Sequence, residues 1–241
     1  MLSTATPTIL ASLGGMEFYS LTFTAKTLTA AVGYLIVGKM ADKFGRRNVM
    51  CVGTFLVFLG YVLSALSTSI TMLIASRAVS GFGAGLTLSL GYIILGDFFK
   101  GKIYGNAYVI MTLACGIACV IGGPLGGVFC SGGNWTMVFW VLAPLPIVTM
   151  LITYFCCPNY VVDSSDVKFD ALGCVLFTIA TILLVLVLSI SGTFTKFTSP
   201  AMLISLVCSI AIYVWFFVHE NRIDEQSCIF PVKLIKQDSH E

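Results

Sequence analysis

Long apolar runs separated by short polar connections make up most of the chain. A helix needs about 20 mainly apolar residues to cross the hydrocarbon core of a bilayer. Runs of that length predict seven spanning helices, at 20–38, 49–67, 70–96, 103–129, 135–157, 170–190 and 199–218. Residues 2–13 are also apolar, but at about 1.5 Å per residue they would form a helix of only about 18 Å. The pattern therefore predicts an all-α integral membrane protein with a short first helix.

The composition supports this prediction and excludes other classes. Hydrophobic residues make up 58% of the 241 residues and charged residues only 10%, and the mean hydropathy is +0.98. A soluble domain carries far less apolar and far more charged sequence. A net charge of +2 is too small to indicate a nucleic-acid partner. The expected partner is the lipid bilayer, and the expected location is the cell membrane, as a multi-pass protein.

The charged residues lie in every second connection between the predicted helices. Most of them fall at 39–48, 97–102, 158–169 and 219–241, whereas the alternate connections hold little beyond Glu17 and Lys196. Basic residues in short loops mark the cytoplasmic side of a membrane protein. The connection 39–48 has four basic residues against Asp42, so we expect it and the other charged connections to be cytoplasmic.

The connection at 38–47 reads GKMADKFGRR and has a distinctive spacing. Any short cytoplasmic loop collects Lys and Arg, which is the simplest interpretation of its charge. The spacing G-x-x-x-D-x-x-G-R-R resembles the loop between helices 2 and 3 of the major facilitator superfamily. The resemblance implies a gating motif made of Gly38, Asp42, Gly45, Arg46 and Arg47. Its glycines would allow a tight turn at a helix end, and its acid and bases could form bonds that hold one conformation.

A second resemblance lies in the predicted helix 70–96. LIASRAVSGFGAG, at 73–85, is similar to the helix 4 motif of the same family, with Arg77 as its arginine. Arg77, Gly81 and Gly85 would share one helix face because they are spaced four residues apart. The resemblance implies a proton or substrate pathway. Alternatively, Arg77 reaches the membrane surface, since it lies only about seven residues from the end of its helix.

A third resemblance lies in the helix predicted at 103–129. GIACVIGGPLGGVF, at 116–129, is similar to the antiporter motif of the family, in which small residues every four positions allow close helix contact. This sequence departs from the motif by one place, since glycine stands where the family has proline and proline follows it. The predicted glycine ladder consists of Gly116, Gly122, Gly123, Pro124, Gly126 and Gly127.

The later part of the chain indicates a branch of the family. KFDALG at 168–173, a helix pair and FVHENRIDEQSCIFPVKL at 217–234 resemble the insert of the fourteen-helix drug:proton antiporters. STATPTI at 3–9 and WTMVFW at 135–140 resemble the first and sixth helices of that branch. The implied organisation is an N-terminal six-helix bundle with a truncated first helix, a cytoplasmic loop, an inserted helix pair and a cytoplasmic tail, at 1–157, 158–169, 170–218 and 219–241.

The resemblance implies a secondary active transporter that exports drug-like or other small organic compounds in exchange for protons. It covers the N-terminal portion of the family only, so a C-terminal six-helix half is an expected partner. The alternative is a truncated membrane protein that does not transport and at most interacts with full-length relatives. A neighbouring reading frame for six more helices would distinguish the two.

One residue departs from the branch in a way that bears on the substrate. Lys26 lies in the predicted helix 20–38, where the family more often has an aromatic residue. It could bind an anionic substrate, repel a cation, or extend to the outer interface. The carboxylates Glu17 and Asp97 lie at the ends of predicted spans rather than in mid-membrane.

An enzyme is the less favoured class. Nine cysteines suggest a membrane thiol oxidoreductase, but the chain has no C-x-x-C motif. The two histidines, His219 and His240, are too isolated to predict a metal site, and no ATP-binding P-loop motif is present. The sequence thus predicts no catalytic residue, metal or cofactor.

Overall fold

The computed structural model describes residues 2–14, 16–131, 135–157, 171–190 and 200–220. These residues form helices and short connections and contain no strand, which confirms the all-α fold class. The chain divides into two compact units, Met1–Val162 and Asp163–Glu241. The predicted loop at 158–169 and most of the predicted tail at 219–241 lie outside the described residues, so those boundaries stay predictions.

The first unit contains seven α-helices and one 3₁₀ turn among its described residues. They are α1 (Leu2–Leu13), the 3₁₀ turn (Met16–Phe18), α2 (Tyr19–Phe44), α3 (Arg46–Ala65), α4 (Ile70–Phe98), α5 (Lys102–Ser131), α6 (Thr136–Leu142) and α7 (Pro144–Cys156). Five segments in the described part of the chain are long and apolar enough to cross a membrane: Met16–Phe44, Arg46–Ala65, Ile70–Phe98, Lys102–Phe129 and Thr136–Cys156. These five match the first five predicted spans.

The last of these spans is interrupted at Ala143, between α6 and α7. Pro144 and Pro146 follow the interruption, and proline has no backbone N–H to donate within a helix. The sequence pattern predicts one continuous helix here because it follows apolar residues alone.

The second unit is a helix pair, α8 (Ala171–Ile190) and α9 (Pro200–Glu220). The two helices are joined by polar contacts: the hydroxyls of Thr181 and Tyr213 lie 2.8 Å apart, and the Ser209 hydroxyl donates to the Ala180 carbonyl at 2.9 Å. The described apolar stretches are Val175–Leu184 and Leu203–His219. The helix pair is therefore present, and its crossing of the membrane stays a prediction.

The connection predicted at 39–48 is largely helical, so that prediction is wrong. The helix α2 continues to Phe44 and α3 begins at Arg46, leaving Gly45 alone outside a helix. Gly45 has a φ of 88°, a conformation that glycine adopts without strain. Gly38, predicted to form part of a tight turn, lies inside α2 instead. A hydropathy pattern predicts the end of a span where the chain becomes polar. Lys, Met and Ala have high helix propensity, so the helix itself continues beyond that point.

Close backbone contacts hold α4 against α2 and α3. A Cβ atom added at Gly81 would collide with the Lys26 carbonyl, and one added at Gly85 with the Ala30 carbonyl. A Cβ at Gly83 would lie 2.6 Å from the Gly53 carbonyl oxygen on α3. Small residues at such positions let helix backbones approach in a membrane. The sequence at 81–85 thus places α4 at the centre of the first unit.

The short helix α1 is packed into this unit rather than lying apart from it. Its apolar residues Ala5, Ile9 and Leu10 are fully buried, together with Leu73 of α4 and Phe139 of α6. By contrast, most side chains of α5 between Lys102 and Phe129 are exposed. The unit therefore has a well-packed side and an open side formed by α5.

Candidate functional site

A cavity of about 690 Å³ opens within the first unit. Its wall comes mainly from α2 and α4, with single residues from α1, α3 and α5. Cavities that take drug-sized ligands have volumes of roughly 300–1,000 Å³ and are lined mostly by apolar side chains with a few polar groups. The cavity has this size and this kind of lining, so it is the candidate ligand site.

Arg77 lies on the wall of this cavity. Its side chain is buried, at 3% exposure, and its guanidinium carbon lies 5.2 Å from the centre of the Phe139 ring. The Nε atom has no hydrogen-bond partner. A cation over an aromatic ring is attracted to the negative face of the ring. The structure therefore places Arg77 in the interior, on the wall of the cavity.

Lys26 lines the same cavity from α2. The structure brings the predicted pathway residues Lys26 and Arg77 together. Gly81 contacts the backbone of Lys26 and lies one turn along α4 from Arg77. Gly85 contacts α2 one turn further on, at Ala30. The glycines allow α2 and α4 to approach, and this approach places the two cationic side chains on one cavity wall.

A second polar site joins the ends of three helices. Arg46, at the start of α3, donates from Nη1 to Asp42 Oδ1 at 2.6 Å and from Nε to Asp97 Oδ2 at 3.0 Å. Asp42 lies near the end of α2 and Asp97 near the end of α4. The Arg46 side chain is 9% exposed, and the two carboxylates are 37% and 35% exposed. We call these three residues the charge cluster.

Asp97 is the member of the charge cluster that the sequence motif does not contain. A signal for it exists, since the ends of helices two spans apart lie on the same side of a membrane. The sequence places Asp97 at the end of a predicted span, on the same side as 39–48. Which of the basic residues it would contact could not be predicted, because that depends on how α3 and α4 pack.

The remaining residues of the predicted gating motif do not join the charge cluster. The guanidinium carbon of Arg47 lies 5.0 Å from the centre of the Tyr154 ring on α7, and its Nε is buried without a hydrogen bond. Gly38 has no atom of another segment within 4 Å of an added Cβ. The two adjacent arginines therefore point to different helices, and Asp42 and Arg46 are the members of the motif that meet.

The predicted glycine ladder lies along α5. Pro124 is inside this helix, and its neighbour Gly123 accepts a hydrogen bond from the Thr4 hydroxyl at 3.2 Å. An added Cβ at Gly116, Gly123 or Gly127 would meet nothing within 4 Å. Gly126 is buried and Gly122 half-buried. Most of the ladder is thus open in this unit.

Nothing in the described part of the chain suggests a metal site, because no three His, Cys, Asp or Glu residues there lie close enough to bind one ion. The long apolar helices instead define a polytopic membrane protein, and the cavity between them is its candidate ligand site. The chain belongs to the Major Facilitator Superfamily, whose sequence model matches residues 1–219. This family consists of transporters rather than enzymes, which confirms the prediction that the chain is not an enzyme.

Individual relatives agree with this assignment. The chain is 28% identical over 236 residues to the multidrug transporter protein MdtP of Bacillus subtilis (strain 168), covering 98% of the chain and 43% of MdtP. It is 27% identical over 237 residues to the putative multidrug resistance protein MdtD of Salmonella typhimurium (strain LT2), covering 98% and 49%. An MFS-type transporter of Aspergillus terreus is 34% identical over 142 residues, covering 58% and 26%. The chain spans less than half the length of these curated relatives.

Proposed function

We propose that this chain forms the N-terminal portion of a secondary active transporter that exports drug-like or other small organic compounds across the cell membrane in exchange for protons. The observation that carries the proposal is the cavity of about 690 Å³ with Arg77 on its wall. Two relatives named as multidrug proteins match 98% of the chain, which supports a small-molecule substrate. Burying an arginine in a membrane helix is energetically unfavourable, and residues of this kind mark transport pathways.

We propose the charge cluster as the gate. In transporters built from two halves, substrate access alternates because the helix ends close on one side of the membrane and open on the other. Arg46 ties the ends of α2, α3 and α4 through two short charge-assisted hydrogen bonds. Such bonds stabilise the state in which the ends are together, and they break when the ends separate.

We propose that α5 faces a C-terminal six-helix half. The side chains of Ile110, Ile117 and Val120 are 66%, 58% and 75% exposed, and most of the glycine ladder on the same helix is open. A smooth face of small residues allows a partner helix to approach closely. In this arrangement the cavity lies between the two halves, and Arg77 and Lys26 face substrate and protons from the N-terminal side.

The test is reconstitution of two proteins in liposomes. One is the 241-residue chain alone, and the other is a chimaera in which residues 1–219 replace the matching segment of MdtP. We expect the chimaera to move a fluorescent substrate when a pH gradient is imposed and to stop when an ionophore dissipates the gradient. The chain alone should move none, because one half supplies one wall of the cavity.

The results distinguish an exporter from a membrane protein that does not transport. A chimaera that inserts and folds but moves no substrate would favour a membrane protein that does not transport. Gradient-dependent export by the chain alone would mean that a second copy of the chain supplies the opposite wall.

A further inference from the structure

We infer that the cavity binds amphipathic organic anions, with the carboxylate or sulfonate group held by Lys26 and Arg77. This inference names the substrate class of the proposed transporter and rests on that proposal for its physiological role. The binding itself can be tested without transport. Among the residues that line the cavity, Lys26 and Arg77 are the charged ones, and none of the lining residues that the structure describes is acidic.

None of the acidic residues of the first unit pairs with the cations of this wall. The unit contains Glu17, Asp42 and Asp97. Asp42 lies 16 residues from Lys26 along α2 and Asp97 lies 20 residues from Arg77 along α4, which correspond to about 24 Å and about 30 Å. Both of these carboxylates are bonded to Arg46. The exposed Glu17 is about 14 Å from Lys26 along the chain, and it forms no ion pair with Lys26 or Arg77, all of which lie in the described part of the chain.

Arg77 has unused capacity to donate hydrogen bonds. Its Nε is buried without a partner, and the group beneath its guanidinium is the ring of Phe139. A buried N–H donor without a partner is unfavourable, so the guanidinium group is short of acceptors, and an acceptor in the cavity that Arg77 lines would stabilise it. A carboxylate or sulfonate is the acceptor that matches both the charge and the planar geometry of a guanidinium.

Three of the five hydroxyl groups that line the cavity already donate within their own helices. Thr22 donates its hydroxyl hydrogen to the Phe18 carbonyl at 3.0 Å, and Thr27 donates to the Phe23 carbonyl at 3.0 Å. Thr87 donates to the Gly83 carbonyl at 3.1 Å. Each of these hydrogens is used within its own helix. The cationic groups of Lys26 and Arg77 are therefore the donors that select the charge of a ligand.

The rest of the lining fits an apolar body attached to the anionic group. Its large apolar side chains are Phe23, Met50, Leu88 and Met111, and Tyr34 adds an aromatic ring. Methionines adapt to ligands of different shape, which suits a site of drug-like volume. An organic cation in the same place would lie beside two like charges in a medium of low dielectric constant, where their repulsion is strong.

The experiment measures binding of three matched fluorescent probes to the purified 241-residue chain in neutral maltoside micelles. Dansylglycine is an anion, dansylamide is neutral and dansylcadaverine is a cation, so charge varies around one fluorophore. Fluorescence anisotropy is read against empty micelles at fixed salt concentration. We expect the anion to bind at least about ten-fold more tightly than the cation, the ratio that one charge-assisted hydrogen bond supplies. Equal binding of all three probes, or of none, would overturn the inference.

Variants identify the residues responsible. We expect Lys26→Gln to weaken binding of the anion by about ten-fold and to leave the neutral probe unchanged, while Lys26→Arg retains the preference. Lys102→Gln removes an exposed cation at the start of α5, outside the cavity, and should change nothing. Gel filtration and circular dichroism verify that each variant is folded. Unchanged anion binding in folded Lys26→Gln and Arg77→Gln proteins would also overturn the inference.

The two proposals can fail separately. If the chain prefers the anionic probe but the chimaera is inactive, the proposed export function is refuted and the proposed anion site is supported. An active chimaera that exports the cationic probe in preference to the anionic one would refute the anion site and leave the exporter standing.

Discussion

Removing both carboxylates of the charge cluster should destabilise the first unit by more than the sum of the two single changes. The perturbations are Asp42→Asn, Asp97→Asn and the double variant, which keep the size of each side chain and remove its charge. In either single variant the other carboxylate still neutralises Arg46. In the double variant neither carboxylate remains, so Arg46, which is only 7% exposed, is a buried cation that has lost both of these carboxylates.

The structure gives the expected magnitudes. A hydrogen bond to a charged group contributes about 1.5–3 kcal/mol. Asp42 and Asp97 are 37% and 35% exposed at the side chain, so solvent screening lowers each single effect to about 1–2 kcal/mol. In the double variant a buried cation loses both partner charges, which destabilises a protein by about 3–5 kcal/mol. The two single effects sum to about 2–4 kcal/mol, so the excess of the double variant should be about 1 kcal/mol. The Asp42 bond is shorter, at 2.6 Å against 3.0 Å, so Asp42→Asn should be the more harmful single change.

The assay is equilibrium unfolding of the chain in mixed micelles of maltoside and dodecyl sulfate, followed by circular dichroism. Lys43→Gln is the matched control, because Lys43 is exposed and adjacent to Asp42; its effect should stay within about 0.5 kcal/mol. Additive effects of the two aspartate changes, or singles no larger than the control, would refute the idea that Arg46 depends on both carboxylates.

Three further predictions concern other residues. In the chimaera, Asp42→Asn should abolish export while membrane insertion stays normal, because the proposed gate loses its charge; normal export would contradict the gate. Arg77→Lys should impair transport, since lysine lacks the planar fork of donors. A cysteine at position 77 should react with a small water-soluble thiol reagent in a background without other accessible cysteines. Unimpaired transport by Arg77→Lys would favour the alternative in which the side chain extends to the membrane surface. Gly85→Ala should lower the free energy of unfolding by about 1–3 kcal/mol because its Cβ collides with α2, whereas Gly116→Ala and Gly38→Ala add a Cβ in open space and should be neutral or stabilising by up to about 1 kcal/mol. Equal losses of unfolding free energy in all three variants would show that the close contact with α2 is not what makes Gly85→Ala destabilising.

The amino-acid sequence by itself determined the class of protein and the positions of the first five spans. This succeeded because a chain segment inside a bilayer must satisfy its backbone hydrogen bonds internally, so that a long apolar run has helix as its main solution. The same argument does not apply outside the bilayer. The end of α2 at Phe44 was missed for that reason, because Lys39, Asp42 and Lys43 are polar and helical at once.

The tertiary structure alone decided which side chains meet. The motif at 38–47 has two adjacent arginines, and its spacing does not distinguish them. In the structure Arg46 turns to Asp42 and Asp97, while Arg47 turns to Tyr154. Adjacent residues on a helix point about 100° apart, so their partners depend on which helices pack on each side.

The cavity wall was decided in the same way. Lys26 and Arg77 are 51 residues apart in the sequence, and each by itself is compatible with a side chain that extends to the membrane surface. They share a wall because Gly81 and Gly85 bring the backbones of α2 and α4 into contact. Hydropathy records how much of a helix is apolar, whereas the pairing of helix faces depends on shape complementarity between segments distant in the chain.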